Sequence, residues 1–247
     1  MTGGERSAEA PPKVELWRFP VSHYCDFVEF QLRLKGVPYE IVKRQPFQYK
    51  QARPHTDDDE WPFLRTPDGP RHWRDATAWI EKAGPGPSLW PSDPAAAEEA
   101  RKLVHYCTRV VGHAARRVMF HRGLEEADAL FRRYRADTFA KRLAVRAYLG
   151  VVKRRIGATA WAVGQDEDHF DALFRGEGLV AAPTPGAPLL AQPHRTVADV
   201  AVATMLGPVF IIPDCERRWG KTALWEWALG EYRALRKLPG PAPRPSS

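Results

Sequence analysis

The 247-residue sequence is short of several features, and each shortage excludes a class of protein. It has three cysteines, Cys25, Cys107 and Cys215, and no C-x-x-C pair. Neither a disulfide framework nor a dithiol turn is available from them. The eight histidines are scattered and do not cluster with the cysteines, so no metal is expected. No run of about 18 uncharged apolar residues occurs, which argues against a membrane span, and no membrane partner is expected. The first twelve residues lack the apolar core of a secretory signal. Together with the unpaired cysteines, this makes a reducing cytoplasm the expected location. There is no repeat at a fixed period and no motif that reads RNA or DNA.

What is present is an ordinary globular composition, 44% hydrophobic, with a net charge of +7 that is unevenly placed. Residues 13–83 carry 12 Lys/Arg against 11 Asp/Glu, whereas residues 101–155 carry 15 against 4. Such a bias suits anionic ligands or nucleic acid. The competing explanation is a solvated, arginine-rich helical surface, and it is favoured because charge runs are so often merely solvated. Nucleic acid ranks last among the partners.

The first third alternates strand and helix patterns. Lys13-Val-Glu-Leu-Trp-Arg18 reads as a strand, broken at Pro20. Ser22 can cap the helix that follows, with Asp26 in its first turn and Gly36 at its end. Val37 to Val42 reads as a second strand. A short helix is expected near residues 47–52, inside a polar loop ending in Asp57-Asp-Asp-Glu60. Phe63 to Thr66 and Arg71 to Trp73 flank the turn signal Pro67-Asp-Gly-Pro70, and a helix is expected from Asp75 to Ala83.

Gly84 to Pro94 is a Pro/Gly-rich linker, and beyond it the pattern becomes helical. Leu103, Cys107, Val110, Ala114 and Val118 keep helical spacing. Further helices fit residues 125–135, 139–155, 166–175, 197–206 and 222–238. Thr196-Val-Ala-Asp199 has the spacing of a capping box. The organisation is therefore a lead at 1–12, an α/β domain at 13–83, a linker at 84–94, an all-α domain at 95–238 and a tail at 239–247.

In this order the pieces resemble the cytosolic glutathione S-transferase family, and in particular its bacterial members. The resemblance implies a thioredoxin-like N-terminal domain that binds glutathione, followed by an all-helical C-terminal domain. Ser22-His23-Tyr24-Cys25 is similar to the family's Ser-Pro-Tyr-Cys turn, with Ser22 where the catalytic Ser or Cys stands. A hydroxyl there would hydrogen-bond the glutathione sulfur and lower its pKa. Tyr24 and Cys25 are further candidates for work on the thiol, whereas His23, replacing the usual proline, is expected to be exposed. Trp61-Pro62 matches the family's Val-cis-Pro, which pairs with the cysteinyl backbone of the bound peptide. Asp75-Ala76 stands where the family has an acid and a serine that hold the γ-glutamyl group.

Two departures stand out. Ala76 lacks the hydroxyl, leaving its backbone N–H for the ligand carboxylate, with Thr77 as a partial substitute. Asp57 to Glu60 crowd the proline with four acids, so Lys50 or Arg53 becomes the candidate for the glycyl carboxylate. In the helical half, His105, Arg109, His113, Arg117 and His121 recur every fourth residue, a stripe that drifts around a helix. Arg117 and His121 fall where they line the cleft or pair internally, and Tyr106 and Arg109 are candidates for the second-substrate cleft. The resemblance implies an unidentified small electrophile as second substrate and a homodimer. Three functions remain open: glutathione conjugation through Ser22, a glutathione-dependent thiol transferase or reductase using Cys25, and a non-catalytic binding protein with a degraded site.

Overall fold

The computed structural model describes residues 14–19, 22–43, 61–125, 127–133, 136–178 and 184–240. Four short strands form one mixed sheet in the order β2-β1-β3-β4. They are β1 (Glu15–Arg18), β2 (Glu40–Lys43), β3 (Phe63–Thr66) and β4 (Gly69–His72). β1 runs parallel to β2, with Leu16 opposite Ile41, and antiparallel to β3, with Leu16 opposite Leu64. A parallel pair needs a crossover, and α1 (His23–Lys35) supplies it. α1 is capped by Ser22 and closed by Gly36 in the left-handed region, at φ 64°.

α2 (Trp73–Ala83) begins two residues before the sequence pattern suggested, because His72 ends β4 and caps the helix at once. The connection after α2 lies hard against the end of α1. A Cβ on Gly84 would come 2.3 Å from the Lys35 carbonyl oxygen, and one on Gly86 would come 2.4 Å from that of Leu34. The glycines that read as helix breakers are thus required for close backbone approach. Gly86 N–H donates to the Lys35 carbonyl at 3.0 Å, and Lys35 Nζ donates to the Gly86 carbonyl at 2.9 Å.

The remaining described helices are α3 (Pro94–Tyr106), α4 (Gly112–Glu125), α5 (Ala127–Arg133), α6 (Phe139–Arg155), α7 (Ala160–Phe174), α8 (Val197–Met205), α9 (Pro213–Trp219) and α10 (Ala223–Lys237). A π turn at Cys107–Val111 joins α3 to α4 without breaking the rod. α8 is buried along its whole length and packs against α1, α3 and α10. It joins the sheet domain and the helical domain into one core.

Two differences from the sequence reading concern elements. α7 starts at Ala160 rather than near residue 166, capped by Thr159, and α9 was not anticipated. The helix expected near 47–52 and the acidic run 57–60 lie outside the described residues.

Part of the basic charge in the helical half is neutralised by α7. Arg117 forms a two-bond pair with Asp166 at 2.7 and 2.6 Å. Arg122 does the same with Glu167 at 2.8 and 3.0 Å, and Arg218 reaches Glu167 at 3.0 Å. The excess cations there act in part as interhelical ties. His121 likewise pairs internally, with Nδ1 3.0 Å from the Ala158 carbonyl oxygen, while His105 is exposed.

Candidate functional site

The strand register brings three chain segments to one end of the sheet. Trp17 is opposite Phe63, and Phe63 is opposite His72. Three turns therefore meet there: the one leaving β1 toward Ser22, the one entering β3 through Trp61-Pro62, and the start of α2. The Trp61–Pro62 peptide is cis. Trp61 packs into an aromatic cluster with Phe19 at 4.8 Å, Phe63 at 5.4 Å and Trp17 at 6.2 Å between ring centroids. Its indole Nε1 is buried without a hydrogen-bond partner among the described residues, and so is Arg71 Nε.

Ser22 is half-buried at the N-terminus of α1, and its Oγ accepts from Cys25 N–H at 3.3 Å. Accepting that bond leaves the hydroxyl proton for an acceptor outside the helix. The position combines a hydroxyl donor with the positive end of a 13-residue helix.

Tyr24 and Cys25 are held differently. The Tyr24 ring is buried against Trp73, 4.6 Å away, and its hydroxyl donates to the Thr108 carbonyl at 2.8 Å. That carbonyl belongs to the π turn, so Tyr24 ties the two domains together. Gly112 allows the approach, since a Cβ there would meet Met205 Sδ at 2.7 Å and the Tyr24 hydroxyl at 3.1 Å.

Cys25 is completely buried. Burial pushes its thiol up to about 11, against the opposing pull of Arg18 and Ser22. Cys107 and Cys215 are also buried, and burial raises the Cys107 thiol as well. With so high a pKa the Cys25 thiolate fraction at pH 8 is on the order of one in a thousand. The native protein is therefore expected to react negligibly with an aromatic disulfide reagent at that pH and to release three equivalents only on denaturation. Rapid modification of Cys25 in the folded protein would reverse this assignment.

His23 corrects an expectation of exposure. It is 6% exposed, because the first turn of α1 faces α4 and the Gly207–Ile211 segment rather than solvent. Burial, with the nearby charges of Arg116 and His113, pushes its imidazole down to about 3. An unfolded histidine titrates near 6.5, so the folded state binds fewer protons between these values. Stability from the neutral imidazole is complete above about pH 6.5 and declines by up to about 1.4 kcal/mol per unit as pH falls toward 3. A His23→Gln variant should have a shallower acid limb in denaturation curves taken across that interval. An unchanged slope would mean that His23 is solvated.

At the start of α2, Asp75 is exposed and Ala76 is completely buried. With His72 as the cap, Ala76 is the fourth helical residue, and its N–H goes to the first bond of the helix. It is not available to a ligand carboxylate, which corrects the expectation that it would replace the missing serine. The unpaired N–H groups of this terminus belong to earlier residues. Arg74 N–H is already taken by His72 Nδ1 at 3.3 Å.

Lys50 and Arg53 lie outside the described residues. Tyr106 pairs within the helical domain, its hydroxyl 2.8 Å from His169 Nε2, and burial raises its phenol to about 12. Arg109, in the π turn, is exposed. Among the described residues no cluster of His, Cys, Asp or Glu is arranged to hold a metal ion.

The sequence pattern did not disclose the part played by Asp26 and Glu29. Arg18, at the end of β1, donates to Asp26 at 2.8 Å and also reaches Glu29. Glu29 in turn is bound by Arg33 and by the Tyr39 hydroxyl at 3.1 Å. Tyr232 of α10 donates to Asp26 at 2.6 Å. Burial pulls the Arg18 guanidinium down, yet Asp26 and its neighbours carry it above its ordinary value. The sequence signal was available but ambiguous, since Asp26, Glu29 and Arg33 share one face of a helix that also carries Gln31 and Lys35.

Residues 16–80 match the family model for the N-terminal domain of glutathione S-transferase. No functionally curated protein matches the sequence. Among solved structures, a glutathione S-transferase from Rhodospirillum rubrum is similar at 19% identity and a TM-score of 0.59, over 94% of this chain and 96% of that one. One from Methylobacterium radiotolerans, in complex with glutathione sulfonate, is similar at 19% identity and a TM-score of 0.58, over 95% and 98%. One from Methylobacillus flagellatus with glutathione bound is similar at 16% identity and a TM-score of 0.53, over 91% and 95%. These likenesses establish the fold across both domains, and the family model establishes the first domain. Residues 16–80 thus form a glutathione S-transferase N-terminal domain, in a chain whose two-domain fold is that of the glutathione S-transferase structures.

Proposed function

We propose that the chain binds glutathione at the end of the sheet where Ser22, Pro62 and the start of α2 meet, and that Ser22 activates its thiol for conjugation to a small electrophile. The observation that carries this reading is the Ser22 hydroxyl, held at the N-terminus of α1 by the bond it accepts from Cys25. A thiolate placed there would receive the hydroxyl proton as a hydrogen bond and the favourable end of the helix dipole. Trp61 Nε1 and Arg71 Nε, buried without a partner among the described residues, support a polar ligand alongside Pro62. Asp75, exposed at the start of α2, suits the ligand ammonium. Lys50 or Arg53 is our candidate for the glycyl carboxylate.

Tyr24 and Cys25 serve better as structure than as catalysts, the first through its bond to Thr108 and the second through its burial. The thiol-transferase alternative is accordingly disfavoured. The non-catalytic alternative keeps one specific support: the apolar, buried Ala76, whose N–H is spent within α2.

Calorimetric titration with glutathione, followed by rates with an activated halonitrobenzene, tests the proposal. Ser22→Ala should lower kcat/KM at least about tenfold, with the ultraviolet absorbance of the bound thiolate lost and glutathione affinity changed little. Absence of binding at millimolar glutathione would sink the reading altogether. Binding without turnover would favour the non-catalytic one.

A further inference from the structure

α6 has two contrasting long faces. Leu149 and Val152 are buried, with Val145 and Tyr148 half-buried beside them, where the helix packs on α4 and α5. At about 100° per residue, Phe139, Leu143, Ala147, Ala140 and Val151 lie on the opposite arc, with Ala144 at its edge. Phe139 is 83% exposed, Leu143 59% and Val151 65%. Only Arg154 interrupts this arc.

The other cations flank it, with Arg142, Arg146 and Lys153 along one margin and Lys141 and Arg155 along the other. Lys141 pairs with Asp137, whereas Arg142 and Arg146 lie over the Phe131 ring, 5.5 and 5.7 Å from its centroid. The helix contains no Asp or Glu. Just beyond it, Trp161 at the start of α7 is 73% exposed.

We propose that the outer face of α6 docks on an anionic lipid bilayer. The helix would lie in the plane of the headgroups, its apolar arc inserted and its flanking cations on acidic headgroups. An exposed apolar arc bordered on both sides by Lys and Arg is the arrangement that interfacial helices use. Spanning is a separate matter: among the described residues no helix is long and apolar enough to cross a membrane. The charge also selects against other occupants. A second copy docked through the same face would bring six cations against six with no acid between them. Nucleic acid would need several cations across the centre of the contact, where α6 places Arg154 alone among apolar side chains.

Flotation of the full chain, with and without glutathione, on vesicles of phosphatidylcholine alone or mixed with phosphatidylglycerol tests the proposal. Binding should require the anionic lipid and weaken with added salt. The pair Leu143→Glu and Val151→Glu should lower partitioning at least about tenfold by removing the inserted apolar surface. The pair Arg154→Glu and Arg155→Glu should do the same through charge, at about fivefold or more per residue. All four positions are exposed, so the thermal unfolding midpoint should hold and serves as the folding control. No binding to anionic vesicles at low salt would overturn the proposal, as would equal partitioning of wild type and the Leu143/Val151 variant. A dimer in sedimentation that this variant dissociates would assign the face to a second copy instead. Duplex DNA binding lost only with the arginines would also overturn it.

Discussion

Replacing Asp199 with alanine lowers the unfolding free energy by about 2–5 kcal/mol, one of the two largest effects expected of any single substitution here. Asp199 is completely buried at the start of α8, the helix that joins the two domains. One carboxylate oxygen accepts from Leu189 N–H at 2.6 Å. The other accepts from Thr196 N–H at 2.6 Å and from the Thr196 hydroxyl at 2.9 Å. Burial raises the Asp199 carboxyl while these donors pull it back. Alanine would strand two backbone N–H groups where water does not reach, and each costs about 1–3 kcal/mol. An exposed capping residue, by comparison, is worth about 1 kcal/mol. Urea denaturation measures the difference, with Asp199→Asn expected to recover part of it. A loss below about 1 kcal/mol would show that the segment before α8 relaxes to admit water.

Replacing Glu29 with glutamine destabilises the protein by about 3–5 kcal/mol through a different mechanism. The Glu29 side chain is 3% exposed and those of Arg18 and Arg33 are 12% and 13%. Two guanidinium groups and the Tyr39 hydroxyl converge on this one carboxylate. Removing the charge leaves Arg18 with Asp26 and the Phe19 carbonyl and deprives Arg33 of its acid, though Arg33 keeps the Tyr39 hydroxyl and the Arg236 and Leu238 carbonyls at 3.1, 2.9 and 3.1 Å. Stranding a buried cation costs more than the intact pair contributes relative to apolar residues of similar size. The double variant Glu29→Gln with Arg18→Met should therefore be more stable than Glu29→Gln alone. Thermal unfolding should register the single change as a fall of roughly 6–20 °C. Additive effects in the double variant would show that Arg18 and Glu29 do not interact.

Local chemistry made much of the fold legible in advance. The strands at 15–18 and 40–43 follow from short β-rich runs, and the hairpin follows from the Pro-Asp-Gly-Pro turn between β3 and β4. Ser22 as the cap of α1, Gly36 as its stop and the Thr196–Asp199 box each depend on residues within a few positions of one another. So does the run of α6 from Phe139 to Arg155. Boundaries failed where one residue served two elements, as His72 does in closing β4 and capping α2. The start of α7 was missed because Thr159 caps a segment that has little periodicity of its own.

By itself the sequence determined the order of most elements, the resemblance carried by residues 13–82, and the absence of a dithiol turn. These rest on composition, caps, turn residues and spacing, all of which act over short separations along the chain. Only the tertiary structure decided which groups leave water, because burial depends on residues far apart in sequence. It buried His23 and the Cys25 thiol, and it turned Tyr24 toward Thr108, leaving Ser22 as the hydroxyl at the mouth of α1. It also divided the basic half in two. Arg117 and Arg122 of α4 were drawn onto the acids of α7, and the cations of α6, Arg154 apart, were left along the margins of an exposed apolar face. Charge read along a chain has a sign and a density. Its consequence depends on which surface it borders once the helices have packed.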